Sequence, residues 1–104
     1  MNNSILLKET SQTLLKMAEI LKTIAHPVRL DIIKILSKDD NHTVTELQTL
    51  LNCDCEQSML SHHLTKMKDK GILHSTKNGK FIYYSLVDKN ITSLFTCLDK
   101  CKIH

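Results

Sequence analysis

The sequence predicts a mainly α-helical domain carrying one two-stranded β ribbon, in the order helix, helix, helix, helix, strand, strand, helix. Three observations predict it. A helical segment at about residues 56–70 pairs an apolar stripe (Met59, Leu60, His63, Leu64, Met67) with a polar face, and Gly71 stands at the C′ position where a left-handed residue closes a helix. Two strand-like runs, Ile72 to Lys77 and Lys80 to Leu86, flank Asn78-Gly79, a strong short signal for a type I′ hairpin turn. A polar helix followed by a basic ribbon is the sequence form of a winged helix.

The elements before it follow in order. A first helix is expected from about Glu9 to Ala25, with Leu14, Met17, Leu21 and Ile24 as its apolar stripe and Ala18 alongside. The single proline, Pro27, fits the N1 position of a second helix, where its missing N–H costs nothing. That helix presents Leu30, Ile33 and Leu36 to the core, with Ile32 and Ile35 widening the face. Lys38 to His42 is a polar loop. Thr43-Val44-Thr45-Glu46 has the form of a capping box, starting a third helix, about Val44 to Leu51, that packs through Val44, Leu47, Leu50 and Leu51. After the ribbon, at about 72–86, Asp88 caps a last helix at about 88–102, with Ile91, Leu94, Leu98 and Cys101 at alternating spacings of three and four. Such a stripe is too short for a seam within one chain and is a liability if left bare, so a two-fold homodimer built on this helix, with the first as a further contributor, is expected; the alternative is that the last helix folds back on its own core.

At 104 residues the chain makes one domain, 1–104, small enough to share part of its core with a second copy. No apolar run is long enough to span a bilayer. The start, Met1 to Glu9, has neither a basic region nor the long apolar stretch of a signal peptide, so a cytoplasmic protein with reduced cysteines is expected. The charge is unevenly placed. Residues 57–86 hold Lys66, Lys68, Lys70, Lys77 and Lys80 against Asp69, a net of +4, whereas the whole chain carries +3. The basic excess thus lies entirely in the polar helix and ribbon, which favours a polyanion meeting one face. Catalysis is not expected: the chain has no Gly-rich phosphate loop, no paired-carboxylate signature and no nucleophile with an evident base.

Four stretches in this order resemble the ArsR/SmtB family of small winged-helix repressors. Leu21 to Ile33, with His26-Pro27-Val28-Arg29, looks like the family's entry to its second helix. Thr43 to Leu50 is similar to its third. Glu56-Gln57-Ser58-Met59-Leu60-Ser61-His62-His63-Leu64 is similar to its recognition-helix signature. Gly71 to Leu86, down to Tyr83-Tyr84, is similar to its wing. The resemblance covers about residues 15–104. It implies a homodimer on a palindromic operator in double-stranded DNA, one recognition helix in each of two major grooves about 34 Å apart, released when an inducer binds. On matching positions Gln57, Ser58, Ser61 and His62 would meet bases or nearby phosphates. Thr43, Thr45 and Lys66 would hold the backbone, and Lys77 and Lys80 would reach minor-groove phosphates. His63 fits two readings, a DNA contact or a satisfied core histidine.

No cofactor is certain, and a zinc or softer thiophilic ion is the candidate. The cysteine pair of the family's arsenic and cadmium sensors has no counterpart, because Thr43-Val44-Thr45 stands there. The chain's own Cys53 and Cys55 fall in the turn before the recognition helix, either as two small apolar fillers or as a thiol pair. At the spacing of the family's dimer-bridging zinc site stand Asp88, Asn90, Cys101 and His104. Asn90 is a poor transition-metal ligand, whereas Cys101 is a good one and Cys97 lies one turn away. Asp88, Cys97, Cys101 and His104 therefore form a candidate metal or redox set, with interface packing as the alternative. A disulfide between Cys97 and Cys101 is strained at the ~5–6 Å of an i,i+4 pair, and a persulfide link or a bond across the dimer is easier. The expected function is a sequence-specific DNA-binding repressor released by a metal ion or a thiol-reactive inducer. The rivals are a constitutive winged-helix regulator with structural cysteines and a protein-interaction module.

Overall fold

The first helix starts well before its apolar stripe. In the computed structural model, which describes the backbone of residues 3–52 and 54–100 and the side chains of 11–52 and 54–96, α1 spans Asn3–Ile24. Its start precedes the expected Glu9 because the preceding run holds neither proline nor glycine. Ile24 is buried, but Leu14, Leu15, Met17 and Leu21 are each about half exposed or more, so most of the predicted stripe stays open to solvent among the described residues.

α2 (Pro27–Lys38) begins as predicted, with Pro27 in its first turn. The residue capping it is His26, whose Nδ1 accepts from the Val28 N–H at 3.2 Å. Ile32, Ile33 and Leu36 are fully buried, while Leu30 and Ile35 are only partly so. The core side is therefore rotated slightly from the predicted one. In α3 (Val44–Leu50) both halves of the capping box form: the Glu46 N–H donates to Thr43 Oγ1 at 3.2 Å, and the Thr43 N–H to Glu46 Oε1 at 2.9 Å. The bond from the Thr43 N–H favours the ionised carboxylate and is the largest reason that Glu46 titrates below its ordinary value, with the Thr43 side chain and His42 adding in the same direction. Leu47 and Leu51 enter the core, but Leu50, expected to pack, is 48% exposed.

α4 (Gln57–Asp69) buries Leu60, His63, Leu64 and Met67 along one side; Met59, expected with them, faces outward. Each fully buried leucine or methionine contributes about 1.5–3 kcal/mol relative to exposure. A Schellman motif closes the helix: the Gly71 N–H donates to the Lys68 carbonyl at 3.0 Å and the Ile72 N–H to the Met67 carbonyl at 2.9 Å, with Gly71 at φ 77°.

β1 (Leu73–Asn78) and β2 (Phe81–Leu86) pair antiparallel, Leu73 opposite Leu86 and Asn78 opposite Phe81. The two-residue loop is therefore Gly79-Lys80, not Asn78-Gly79. Gly79 has φ 65°, and neither Asn78 nor Lys80 has positive φ, which is the dihedral pattern of a type II′ turn instead of the predicted I′. Burial follows distance from the tip: Leu73, Ser85 and Leu86 are buried, whereas Phe81 and Ile82 are about half exposed. The loop before α3, predicted as merely polar, joins the ribbon. His42 exchanges two backbone bonds with Tyr84, at 3.1 and 2.8 Å. Asp40 beside it forms an ion pair with Lys89 at 2.8 Å.

Asp88 caps, but what it caps is a 3₁₀ turn (Lys89–Thr92), its Oδ1 accepting from the Asn90 N–H at 2.9 Å. α5 (Ser93–Lys100) follows. Ile91 and Phe95 pack on the core, and Leu94 of the predicted stripe stays exposed. Among the described residues no helix is long and apolar enough to cross a membrane.

This packing predicts that Leu64→Ala lowers unfolding free energy in urea by about 2–5 kcal/mol. Thr43→Ala, which removes only the cap acceptor, costs about 1 kcal/mol. Equal losses for the two would contradict the assigned core.

Candidate nucleic-acid interface

The turn between α3 and α4 fixes the angle at which α4 leaves the body. Gln48 Nε2 donates to the Cys55 carbonyl at 3.0 Å, and the Asn52 N–H donates to Asp31 Oδ2 at 3.1 Å. The first bond ties the turn to α3 and the second ties it to α2. Leu51 and Cys55 add apolar contact with the core.

Opposite the buried stripe of α4, Gln57, Ser58, His62, Thr65 and Lys66 are exposed and Ser61 is half-buried. They recur at i, i+1, i+4, i+5, i+8 and i+9, which is one continuous side of a helix. No carboxylate stands between Gln57 and Lys68. Carboxamide, hydroxyl, imidazole and ammonium groups thus present donors and acceptors in a row with no negative charge to repel a phosphate. The ribbon projects beside α4 with Lys77 and Lys80 exposed at its tip, Lys80 Nζ lying 5.6 Å from the Phe81 ring centre. Thr45 is exposed at the start of α3, whereas the Thr43 hydroxyl already accepts the capping bond.

His63 stands apart from the other predicted contacts. It is 5% exposed and points inward. Its Nδ1 accepts from Arg29 Nε at 3.1 Å, and its ring lies 4.5 Å from that of His26 and 6.3 Å from that of His62, centre to centre. Of its two sequence readings the geometry favours the satisfied core histidine. Burial holds it below its ordinary titration range, with the adjacent His26, Arg29 and His62 adding in the same direction. Arg29 also donates from Nη1 to the Thr23 carbonyl at 2.8 Å. One guanidinium therefore ties the last turn of α1, the start of α2 and the middle of α4 together. The sequence reasoning gave Arg29 no role beyond its place in a motif. The available signal was an arginine two positions after the helix-starting proline and a histidine on an apolar stripe, two groups that bury well only as a pair.

The sensing candidates fall largely outside what is described. Cys53, Cys101 and His104 lie outside the described residues, and Cys97 lies within α5 but beyond the described side chains. Asp88 uses Oδ1 as a cap, and Cys55 is half-buried against the core. Among the described residues no group of three or more His, Cys, Asp or Glu side chains is placed to hold a metal ion.

A short helix, a fixed turn, a helix with one buried and one carboxylate-free polar side, and a basic hairpin together define a winged helix-turn-helix DNA-binding domain. Residues 24–76 match a family described as a helix-turn-helix domain. Over 79% of its length the chain is 38% identical to the transcriptional repressor PagR of Bacillus anthracis, spanning 80% of that protein. The crystal structure of PagR superposes with a TM-score of 0.73 at 36% identity, over 85% of this chain and 98% of that one. The transcriptional repressor BigR from Xylella fastidiosa superposes equally well, with a TM-score of 0.73 at 28% identity over 97% and 98% of the two chains. The chain belongs to the ArsR/SmtB family of winged helix-turn-helix, DNA-binding transcriptional repressors.

The triple role of Arg29 predicts that Arg29→Ala, which strands the buried imidazole and the Thr23 carbonyl, costs about 1–3 kcal/mol in urea unfolding. Lys66→Ala on the opposite side of α4 stays within about 0.5 kcal/mol.

Proposed function

We propose that the protein is a homodimeric repressor that reads a two-fold operator with α4 and anchors itself through the wing. The observation carrying this is the carboxylate-free side of α4, exposed because the other side is locked into the core. Gln57, Ser58, Ser61 and His62, near the helix start, take the base edges and adjoining phosphates. Thr43, Thr45 and Lys66 bracket them on the backbone, and Lys77 and Lys80 meet phosphates across the minor groove. The dimer is supported by the bare apolar side of α1, where Leu14, Leu15, Met17 and Leu21 would otherwise face water, and by exposed Leu94 on α5. Two copies related by a two-fold axis set their α4 helices about one DNA turn, ~34 Å, apart.

Release of the operator by a thiophilic metal ion or a thiol-reactive compound rests on the sequence spacing of Asp88, Cys97, Cys101 and His104 at the end of the chain, with Cys53 and Cys55 as the other thiol pair. The engagement of Asp88 as a cap favours the cysteines over the carboxylate as the responsive groups.

Fluorescence anisotropy on a labelled duplex from upstream of the protein's own gene tests the reading. Gln57→Ala is expected to weaken binding by about 1–3 kcal/mol and relax the sequence preference. Lys77→Ala and Lys80→Ala are expected to weaken all duplexes alike, each flattening the log–log salt slope by about 1. Sedimentation at twice the 11.9 kDa chain mass, lost on Leu21→Glu, checks the dimer. Titrating zinc, cadmium, arsenite and a persulfide donor onto the reduced complex checks release. Tight binding that none of them reverses, in wild type and Cys97→Ser/Cys101→Ser alike, would make this a constitutive regulator.

A further inference from the structure

His26, His63 and Arg29 meet where α1, α2 and α4 converge, with His62 alongside, and the hydrogen bonds of His26 and His63 fix which ring nitrogen of each is the acceptor. Arginine only donates, so His63 Nδ1, which receives Arg29 Nε–H at 3.1 Å, carries a lone pair and the ring proton sits on Nε2. A backbone N–H only donates, so His26 Nδ1, which receives the Val28 N–H at 3.2 Å, is in the same state. Each ring has one basic nitrogen left, and in each it is occupied by a donor. A proton arriving at His63 Nδ1 sets N–H against N–H and breaks the bond to Arg29. A proton arriving at His26 Nδ1 removes the cap of α2 and places a cation at the positive end of that helix.

We propose that the Arg29–His63 bond is a proton-sensitive latch holding the recognition helix in its DNA-reading position, and that mild acidification opens it. The inference rests on the DNA-binding reading above and goes beyond it by naming a regulatory signal and the bond on which it acts.

The groups facing His63 all push one way. His26 and Arg29 face it from the start of α2 and His62 from α4, each positive when charged. From α1, among the described residues, it meets no free carboxylate in this network: Glu19 is 3.4 Å from Lys70 Nζ, and Thr23 offers its carbonyl to Arg29. Nothing in the cluster rewards the charged ring. The folded chain accordingly holds His63 below its ordinary value of 6.5, burial being the main cause. The sign follows from linkage. Stability carried by the neutral ring is present in full above about 6.5 and is lost as pH falls from there through the lowered folded value. The direction is diagnostic, because positive charge added to the exposed side of α4 would by itself tighten binding to phosphates.

The experiment has two arms, both on the full-length chain at constant ionic strength. In the first, the ¹⁵N-labelled protein is titrated by NMR from pH 7.5 to 5.5. The Arg29 Nε–H resonance is expected to be protected at pH 7.5 and to disappear in step with protonation of His63. An Arg29 Nε–H resonance unchanged while His63 titrates would overturn the latch. The second arm measures anisotropy on the upstream duplex at both pH values for wild type and His63→Asn, whose Oδ1 replaces Nδ1 as acceptor and takes no proton. Wild type is expected to lose about tenfold in affinity, within the range of an ordinary coupling between two sites. The variant is expected to lose less than about twofold. Wild-type affinity that holds or rises on acidification, or a parallel fall in both proteins, would overturn the proposal. If the variant fails to fold, the NMR arm decides. If no duplex binds at any pH, the DNA-binding reading falls and the regulatory claim with it, while the NMR arm still reports whether the bond is proton-sensitive.

Discussion

Helix α4 serves two masters, and the rest of the molecule is arranged around that division. Leu60, Leu64 and Met67 are fully buried and His63 nearly so, which leaves no freedom to rotate the helix about its axis without exposing them. The opposite side is then presented at a fixed azimuth, and the turn bonds from Gln48 and Asp31 fix its tilt. A side chain that reads a base edge has to arrive within about 0.5 Å of the productive position, and such placement would come from the hydrophobic side of the helix, not from the polar side proposed to do the reading. The core here is less a source of stability than a mounting for α4.

The scaffold shows why some of this was legible in the sequence. Pro27 at a helix start, Thr43 with Glu46 as a reciprocal cap, and Gly71 at a helix end are local rules whose physics is complete within four or five residues. The structure keeps all three. The charge asymmetry across residues 57–86 was equally plain, because charge does not need a fold to be counted. The polar positions of α4 follow from periodicity and their lack of carboxylates suits a polyanion, whereas the assignment of each side chain to a base or a phosphate rests on the resemblance.

What could not be read depends on partners distant in sequence. Arg29 and His63 are 34 positions apart, and nothing local marks them as one unit. The bridge between His42 and Tyr84 is of the same kind, a backbone pairing that leaves no trace in side-chain pattern. The hairpin error is subtler. Asn78-Gly79 and Gly79-Lys80 are both acceptable two-residue loops; moving the loop one position shifts the register by two residues, and the choice goes to the pairing that sets Leu73 against Leu86, not Tyr84, at the buried root. Met59 and Leu50 were assigned inward because apolar residues at helical spacing suggest a core, yet helices this short have only one side covered within the chain. Their exposure is consistent with an apolar surplus that the single chain does not use.

The ribbon is clamped at one end only. Its root is held by buried Leu73 and Leu86, by the Val87 N–H bonded to the Ile72 carbonyl at 3.0 Å, and by the His42–Tyr84 bridge; beyond Tyr83, among the described residues, it has neither a third strand nor a core beneath it. In mechanical terms it is a cantilever about three residue pairs long with two ammonium groups at the free end. A cantilever transmits force to its support in proportion to its stiffness, and a two-stranded ribbon is soft in bending. Variation in minor-groove width from one duplex to another would be taken up by deflection of the tip, and little of it would reach α4. In the proposed complex the same softness would disqualify the wing as a precise reader of sequence and would let it grip many sequences without disturbing α4.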